Sequence, residues 1–456
     1  MPPGDTELVT RAVAALRTHF GYDAFRPAQE PVVRTVLAGH DTLAVLPTGA
    51  GKSVCFQIPA QVLDGLTLVV SPLVSLMQDQ VEAARRRGLA AAALYGTMDA
   101  AERGRTLEAV AAGAVRLLYA SPERAERLAA WLGEHRVPVG RLAVDEAHCI
   151  AEWGHDFRPH YRALARVRRL LGAPPAVALT GSATPAVRRE IVAALELGRT
   201  RRLVEHVGSF DRRNLWFGAR RVTDEAARRA ALLELLPTHR DGSAIVYVPT
   251  RNLAEAVTRC LRWSSRRASP YHAGLAPAER RAVLDAFLRG DAGVVVATSA
   301  FGMGIDKPDV RLVVHWTMPP TPEAYYQEAG RGGRDGGPAR CLLLTARGDA
   351  ELHRRQLDVT FPPRRLLERL WRGELDPARV PDNVRASAER LRQELRPERG
   401  AVDWTPMRVR RRAAEARIRT MERYAAGRGC RRAALVGYFG ERLGRCAGCD
   451  RCDGRR

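Results

Sequence analysis

Lysine is almost missing from this 456-residue chain: only Lys52 and Lys307 occur, against 71 arginines. Arginine's planar fork serves most surface and ion-pair roles, so a chain this biased is expected to keep lysine where a compact ammonium is needed. Aromatic residues are few, at 6%, and no run of 18 apolar residues occurs, which excludes a membrane-spanning helix. The opening MPPGDTELVTRAVAAL carries acids and has no apolar stretch followed by a cleavage site, so an export leader is not expected and a cytoplasmic location is. Eight cysteines are too few for a disulfide scaffold of this length. Acids are in deficit, 51 against 73 bases, leaving a formal charge of +22. Such an excess favours a polyanionic partner, nucleic acid before an anionic membrane, with a solvated basic surface as the plain alternative.

What is present describes a folded protein. Apolar residues make up 46% and charged residues 27%, enough to bury sizeable cores, and the length suits about three domains. Short β-branched runs appear at 42–48, 66–72, 116–122, 141–148 and 176–183, separated by Ala/Arg/Leu-rich stretches with helical spacing. That alternation predicts a parallel sheet with helices on both faces. The pattern pauses near GSFDRRNLWFG (208–218) and resumes at 243–250, 270–274, 293–299, 310–317 and 339–345, predicting a second α/β domain. Beyond residue 350 the strands stop. The expected division is therefore 1–210, 211–347 and a basic helical region with a cysteine cluster over 348–456. Residues 361–456 hold 25 arginines against 13 acids, more than half the excess charge of the chain, which marks this tail as a candidate contact surface.

Four motifs carry chemistry. A strand runs into TGAGKS (48–53) and then an apolar helix. In that order Thr48, Gly49, Gly51 and the backbone around them wrap phosphates, Lys52 reaches the β and γ groups of ATP, and Ser53 holds Mg²⁺. Leu46 stands where the general pattern has its first glycine. At the end of a later strand come Asp145 and Glu146, suited to holding Mg²⁺ and polarising the attacking water. In the second domain YYQEAGRGGRDGG (325–337) sets Arg331 and Arg334 three apart among glycines, suited to stabilising charge on the γ-phosphate. Finally Cys430, Cys446, Cys449 and Cys452 form C-x15-C-x2-C-x2-C, a spacing for a closed tetrahedral Zn²⁺ site, with a disulfide as the alternative. Cys55, Cys149, Cys260 and Cys341 have apolar neighbours and are expected in the core.

Taken in order, LRTHFGYDAFRPAQ (16–29), LPTGAGKS, VVSPLVSLMQDQV (69–81), YASPER (119–124), DEAHCIAEWGHDFRPHY (145–161), LTGSATP (179–185), ATSAFGMGIDKPDV (297–310) and YYQEAGRGGRDG resemble the RecQ family of superfamily 2 DNA helicases. The resemblance runs from about residue 16 to 345 and resumes at the cysteines, where CRRAALVGYFGE (430–441) is similar to the family's zinc subdomain. It implies two tandem RecA-like domains followed by a small helical zinc-binding subdomain. It further implies that Tyr22, Arg26 and Gln29 read adenine and that Gln327 orders the second domain's edge of the ATP site. Trp153, His155, Phe157 and Arg158 would belong to an aromatic loop that senses single-stranded DNA, although Ala151-Glu152 replaces the family's usual Ser-Gln.

The implied activity is ATP-dependent DNA unwinding with 3′-to-5′ movement on single-stranded or forked DNA, in repair or recombination. Only four residues follow Cys452, so the winged helix common in the family is not expected. Residues 361–420 match no zinc-subdomain element that can be placed, and read as a helical DNA-contact module or a basic brace. The competing functions are a translocase that does not unwind, an RNA helicase, and a DNA-binding scaffold without turnover.

Overall fold

A computed structural model describes residues 3–47, 49–151, 159–236, 242–264, 266–302, 307–397 and 401–453. Two compact units emerge. The first holds the chain up to Arg212 together with 436–442, and the second holds Arg213–Phe301, Lys307–Leu435 and the chain from Leu443.

The first unit is built on seven parallel strands: β1 (Asp41–Val45), β2 (Leu66–Val70), β3 (Ala91–Leu94), β4 (Leu117–Ala120), β5 (Val139–Val144), β6 (Ala176–Thr180) and β7 (Leu203–Val207), in the order β3-β4-β2-β5-β6-β1-β7. Every residue of β1, β2, β4 and β6 is buried, as expected where helices cover both faces of a parallel sheet. The core joins strand residues such as Ala44, Val69 and Leu179 to helix residues such as Leu16, Val36 and Phe56.

An ion pair anchors the entry to β1. Asp41 and Arg168 meet at 2.6 Å with side chains 0% and 4% exposed. The carboxylate also accepts from the N–H groups of Ala176 and Gly198, and the guanidinium donates to the carbonyls of Pro174, Leu195 and Glu196. A buried pair with this many additional bonds offsets its own desolvation.

Residues 436–442 close one face of this unit. The Phe439 ring stacks on Phe210 at 4.5 Å between centroids, and the Glu441 carboxylate accepts from Ser209 Oγ and Phe210 N, each at 2.6 Å. Gly440 makes the close approach: at φ +85°, an added Cβ would lie 2.7 Å from Pro185, a conformation and a gap that suit glycine alone.

The second unit has six parallel strands: β8 (Leu215–Arg221), β9 (Ser243–Tyr247), β10 (Ala268–Tyr271), β11 (Val294–Ala297), β12 (Val310–His315) and β13 (Ala339–Thr345), in the order β10-β11-β9-β12-β13-β8. Lys307, 5% exposed, sits beneath this sheet's helices, with its ammonium 2.9 Å from Asp309, donating to Leu288 O and lying over the Phe287 ring. Its niche is a structural one. Helices Asp349–Thr360, Arg364–Trp371, Asp382–Leu395, Thr405–Ala426 and Arg431–Tyr438 follow the strands. Leu367, Ala388, Leu391, Trp404 and Met407 form a small core of their own there.

All ten expected strands are present. Three more, β3, β7 and β8, fall in stretches that carry no strand signal: Ala91-Ala92-Ala93-Leu94 has no β-branched residue, and β7 and β8 are edge strands of mixed polarity.

Candidate nucleotide and zinc sites

The glycine-rich loop begins as β1 ends, at the carboxyl edge where open parallel sheets bind ligands. Leu46 N donates to Thr180 O, fixing the loop's start to the end of β6. The segment before it then grips the loop. Arg26 donates to Gly49 O at 2.6 Å, and Gln29 Nε2 donates to Ala50 O and Gly51 O at 2.9 and 3.1 Å, while Gln29 Oε1 accepts from Arg26 N. At Gly51 φ is +74° and an added Cβ would lie 2.4 Å from Gln29 Nε2, so the loop and its clasp fit together only around glycine. Tyr22, on the same segment, is 54% exposed. Lys52 and Ser53 are half-buried, and Ser53 makes no capping hydrogen bond to the helix Val54–Gln57. Thr48 lies outside the described residues.

Asp145 follows β5 at the same edge. Its Oδ2 accepts from Gln80 Nε2 at 3.2 Å and its Oδ1 from Glu146 N at 3.0 Å, while Tyr161 holds its carbonyl. Burial, then the neighbouring Glu146 charge, pushes its carboxyl up to about 6, with Lys52 and Gln80 opposing. Glu146 has φ +47°, a left-handed conformation that costs a non-glycine residue energy and clusters at functional sites. The Glu146 carboxylate approaches His148 Nδ1 at 3.3 Å, and that nitrogen lies 2.9 Å from Thr180 Oγ1. The donors fit Mg²⁺ and a nucleotide: Asp145 and Ser53 supply hard oxygen ligands, Lys52 a cation beside them. Trp153, His155, Phe157 and Arg158 lie outside the described residues.

In the second unit Thr321 Oγ1 caps the helix Pro322–Ala329 by accepting from Ala324 N. That helix carries Gln327, half-buried, and delivers Arg331, 7% exposed, and Arg334, half-buried, into the glycine turn. Arg331 Nε is buried with no hydrogen-bond partner among the described residues, while the guanidinium bonds the buried Tyr247 side chain. The turn itself is pinned by Asn214, which donates to Gly333 O and Gly337 O, and by the Arg311–Asp335 ion pair. Behind the helix, buried His315 pairs with Glu328 at 2.9 Å and packs against the rings of Tyr247 and Tyr325.

The four expected zinc ligands converge, with all their Sγ atoms within 4.8 Å of one another. Cys430 and Cys449 are 3.9 Å apart, close to the roughly 3.8 Å edge of a tetrahedron with Zn–S near 2.3 Å. Burial would raise the Cys449 thiol, but N–H groups of Arg431, Arg451 and Cys452 outweigh it and hold it down at about 7. Burial raises Cys430 and the neighbouring Cys449 raises Cys452, so Cys449 is the readiest of the three to give the thiolate a metal binds. The knuckle is sewn to the edge strand β8. Phe217 and Cys449 bridge in parallel, Asp450 N donates to Phe217 O, and Asp450 Oδ2 accepts from Ala219 N. Arg431 and Arg432, each 1% exposed, bond Asp450 and the carbonyls of Tyr424 and Leu215. Sequence reasoning counted both among the surface charges.

Three family descriptions match consecutive parts of the chain: DEAD/DEAH box helicase over residues 26–191, helicase conserved C-terminal domain over 227–336, and RecQ zinc-binding over 388–453. A probable ATP-dependent DNA helicase RecS of Bacillus subtilis is 40% identical over 75% of this chain and 68% of its own length. The chain belongs to the RecQ family of ATP-dependent DNA helicases. The RecQ helicase of Pasteurella multocida is 35% identical over 97% of this chain, which spans 62% of that relative; for the RecQ helicase of Synechocystis the figures are 42%, 73% and 70%. Among solved structures, the helicase MrfA bound to DNA (TM-score 0.61, 18% identity, 74% of this chain and 51% of that one) and the Mycobacterium smegmatis helicase Lhr bound to single-stranded DNA and AMP-PNP (0.56, 22%, 92% and 57%) share the fold. One expectation is corrected: residues 388–420 fall inside the RecQ zinc-binding match, leaving 361–387 of that region between the matched family segments. Among the described residues no helix is long and apolar enough to cross a membrane.

Proposed function

We propose that the chain hydrolyses Mg²⁺-ATP to move 3′ to 5′ along single-stranded DNA and to separate duplexes, including forks, in DNA repair or recombination. The observation that carries this reading is the clasp of Arg26 and Gln29 on the carbonyls of Gly49, Ala50 and Gly51, which joins the family's adenine-reading segment to a phosphate loop. In the proposed site Tyr22, Arg26 and Gln29 select adenine, and Thr48 to Ser53 bind phosphates. Asp145 and Ser53 hold Mg²⁺, which supplies charge neutralisation on the phosphate oxygens. Glu146, with His148 2.9 Å from Thr180 behind it, orients the attacking water. Gln327, Arg331 and Arg334 answer the charge that develops on the γ-phosphate. Trp153, His155, Phe157 and Arg158 supply stacking and charge for single-stranded DNA. The four cysteines hold structural Zn²⁺.

Steady-state ATP hydrolysis by the protein alone, with single-stranded DNA, and with RNA of the same sequence tests this reading. Strong stimulation by DNA over RNA is expected. Equal stimulation would favour an RNA-tolerant motor, and none, with DNA still bound, a scaffold. Displacement of a labelled strand from substrates with 3′ or 5′ overhangs then separates unwinding from translocation and gives direction.

A further inference from the structure

The helical region between the second sheet and the zinc knuckle holds a cavity of about 490 Å³ that the motor motifs do not touch. Among the described residues its lining combines two tryptophans, Trp371 and Trp404, with Arg364, Arg372, Arg392 and one acid, Glu368. Arg364, Trp371 and Arg372 lie outside all three matched family segments. The indole rings are stacked nearly parallel, 5.5 Å between centroids with 6° between planes. The Arg364 guanidinium lies 5.4 Å over Trp404, and Trp371 Nε1 donates to Ala388 O at 3.1 Å, which fixes that ring's orientation. Trp404 is nearly buried and Trp371 only half-buried, so the stack ends, on its accessible side, at Trp371.

A brace between domains needs an apolar core, and Trp404 belongs to one with Leu367, Ala388, Leu391 and Met407, with Trp371 packed against it. Such a core does not need the half-buried Trp371 ring to line an open cavity under a rim of cations. Arg364 spends its charge on Glu368 at 2.7 Å. Arg372 and Arg392 are exposed on the rim, and Arg372 makes one solvent-exposed ion pair, to Glu374 at 3.7 Å, which costs little to exchange for a phosphate. Flat apolar faces beside exposed cations are complementary to an unpaired base with its flanking phosphates. A duplex offers phosphates but keeps its base faces covered, and an acidic peptide has no use for a rigid ring stack.

We infer that this cavity is an auxiliary site for single-stranded DNA, in which a base extends the Trp404–Trp371 stack while Arg372 and Arg392 bind neighbouring phosphates. The choice of DNA as the strand rests on the proposed motor function. The site adds to the length of strand held rather than to the chemistry of ATP.

The test uses the full chain, binding fluorescent oligothymidylates of increasing length and a duplex of matching length. Arg372→Glu with Arg392→Glu, both exposed and outside the helical core, is expected to weaken binding of long single strands about tenfold and to flatten the salt slope by roughly 1.4, at about 0.7 per phosphate. Binding of the shortest strands and DNA-stimulated hydrolysis at saturating DNA should stay as in the parent. Trp371→Leu should weaken long-strand binding alone, with Trp371→Phe restoring much of it. Unchanged long-strand affinity in the charge-reversed variant overturns the site, as does an equal loss on duplex, which would mean unspecific charge. If Trp371→Leu fails to fold by circular dichroism, the charge-reversed variant decides. Failure of DNA to stimulate hydrolysis in the parent chain would instead count against the motor, since the binding comparison does not depend on turnover.

Discussion

At Gln29 three hydrogen bonds converge: its amide holds the carbonyls of Ala50 and Gly51 and orients Arg26, whose guanidinium takes the next carbonyl, at Gly49. An alanine there removes the donors that set the loop's shape while leaving Lys52 and Asp145 in place. Gln29→Ala is therefore expected to raise KM for ATP by about thirtyfold, from two lost donor bonds with a net contribution near 1 kcal/mol each, with a smaller change in kcat. Steady-state kinetics at saturating DNA checks this, and a fall in kcat at unchanged KM would contradict a loop-holding role. Lys52 behaves differently, because its charge is spent on phosphate rather than on the loop. Lys52→Ala should abolish hydrolysis and leave DNA affinity, read by fluorescence anisotropy, close to the parent value.

Elements are held by bonds that reach far along the chain. Removing Arg168 strands the Asp41 charge, buried at 0% exposure, at the head of β1. Arg168→Ala is expected to destabilise the first unit by about 3–5 kcal/mol, read as an earlier first transition in thermal unfolding. The edge strand β8 depends likewise on the zinc knuckle, through the Phe217–Cys449 bridge and Asp450. Metal analysis should return about one zinc per chain, and chelation should free four thiols to titration and expose an edge strand that invites aggregation.

These same features mark how far the sequence could be read. Nine strands rich in Val, Ile and Leu, and the loop joining β1 to Lys52, were legible because each signal is local; β10, Ala-Ser-Pro-Tyr, was placed from its proline and tyrosine between turns. β3, with three alanines, and β8, where Trp216, Gly218 and two arginines interrupt the alternation, were not. Neither were Asp450, Arg432 or Glu441, since they have partners far from them in sequence, up to 232 residues away for the bond between Ser209 and Glu441. His315 looked like one more strand residue until the fold set Glu328 beside it.

For the whole molecule, charge is the property that acts at range. With 25 arginines against 13 acids over residues 361–456, affinity for single strands should fall as salt rises, by a log–log slope of roughly −0.7 for each phosphate contacted. Anisotropy titrations between low and physiological salt measure it, and a flat response would contradict the electrostatic account.

The stack of Phe439 on Phe210 and the bonds from Glu441 carry a consequence in time. The first unit holds the chain up to Arg212, a short piece beginning at Gly302, and residues 436–442. At synthesis rates of about 5–20 residues per second, that last piece follows roughly 10–50 s later. During that interval the nascent first domain shows the ribosome, and any chaperone near the exit tunnel, an uncovered Phe210. Its final surface is closed only when the chain has been made as far as residue 442.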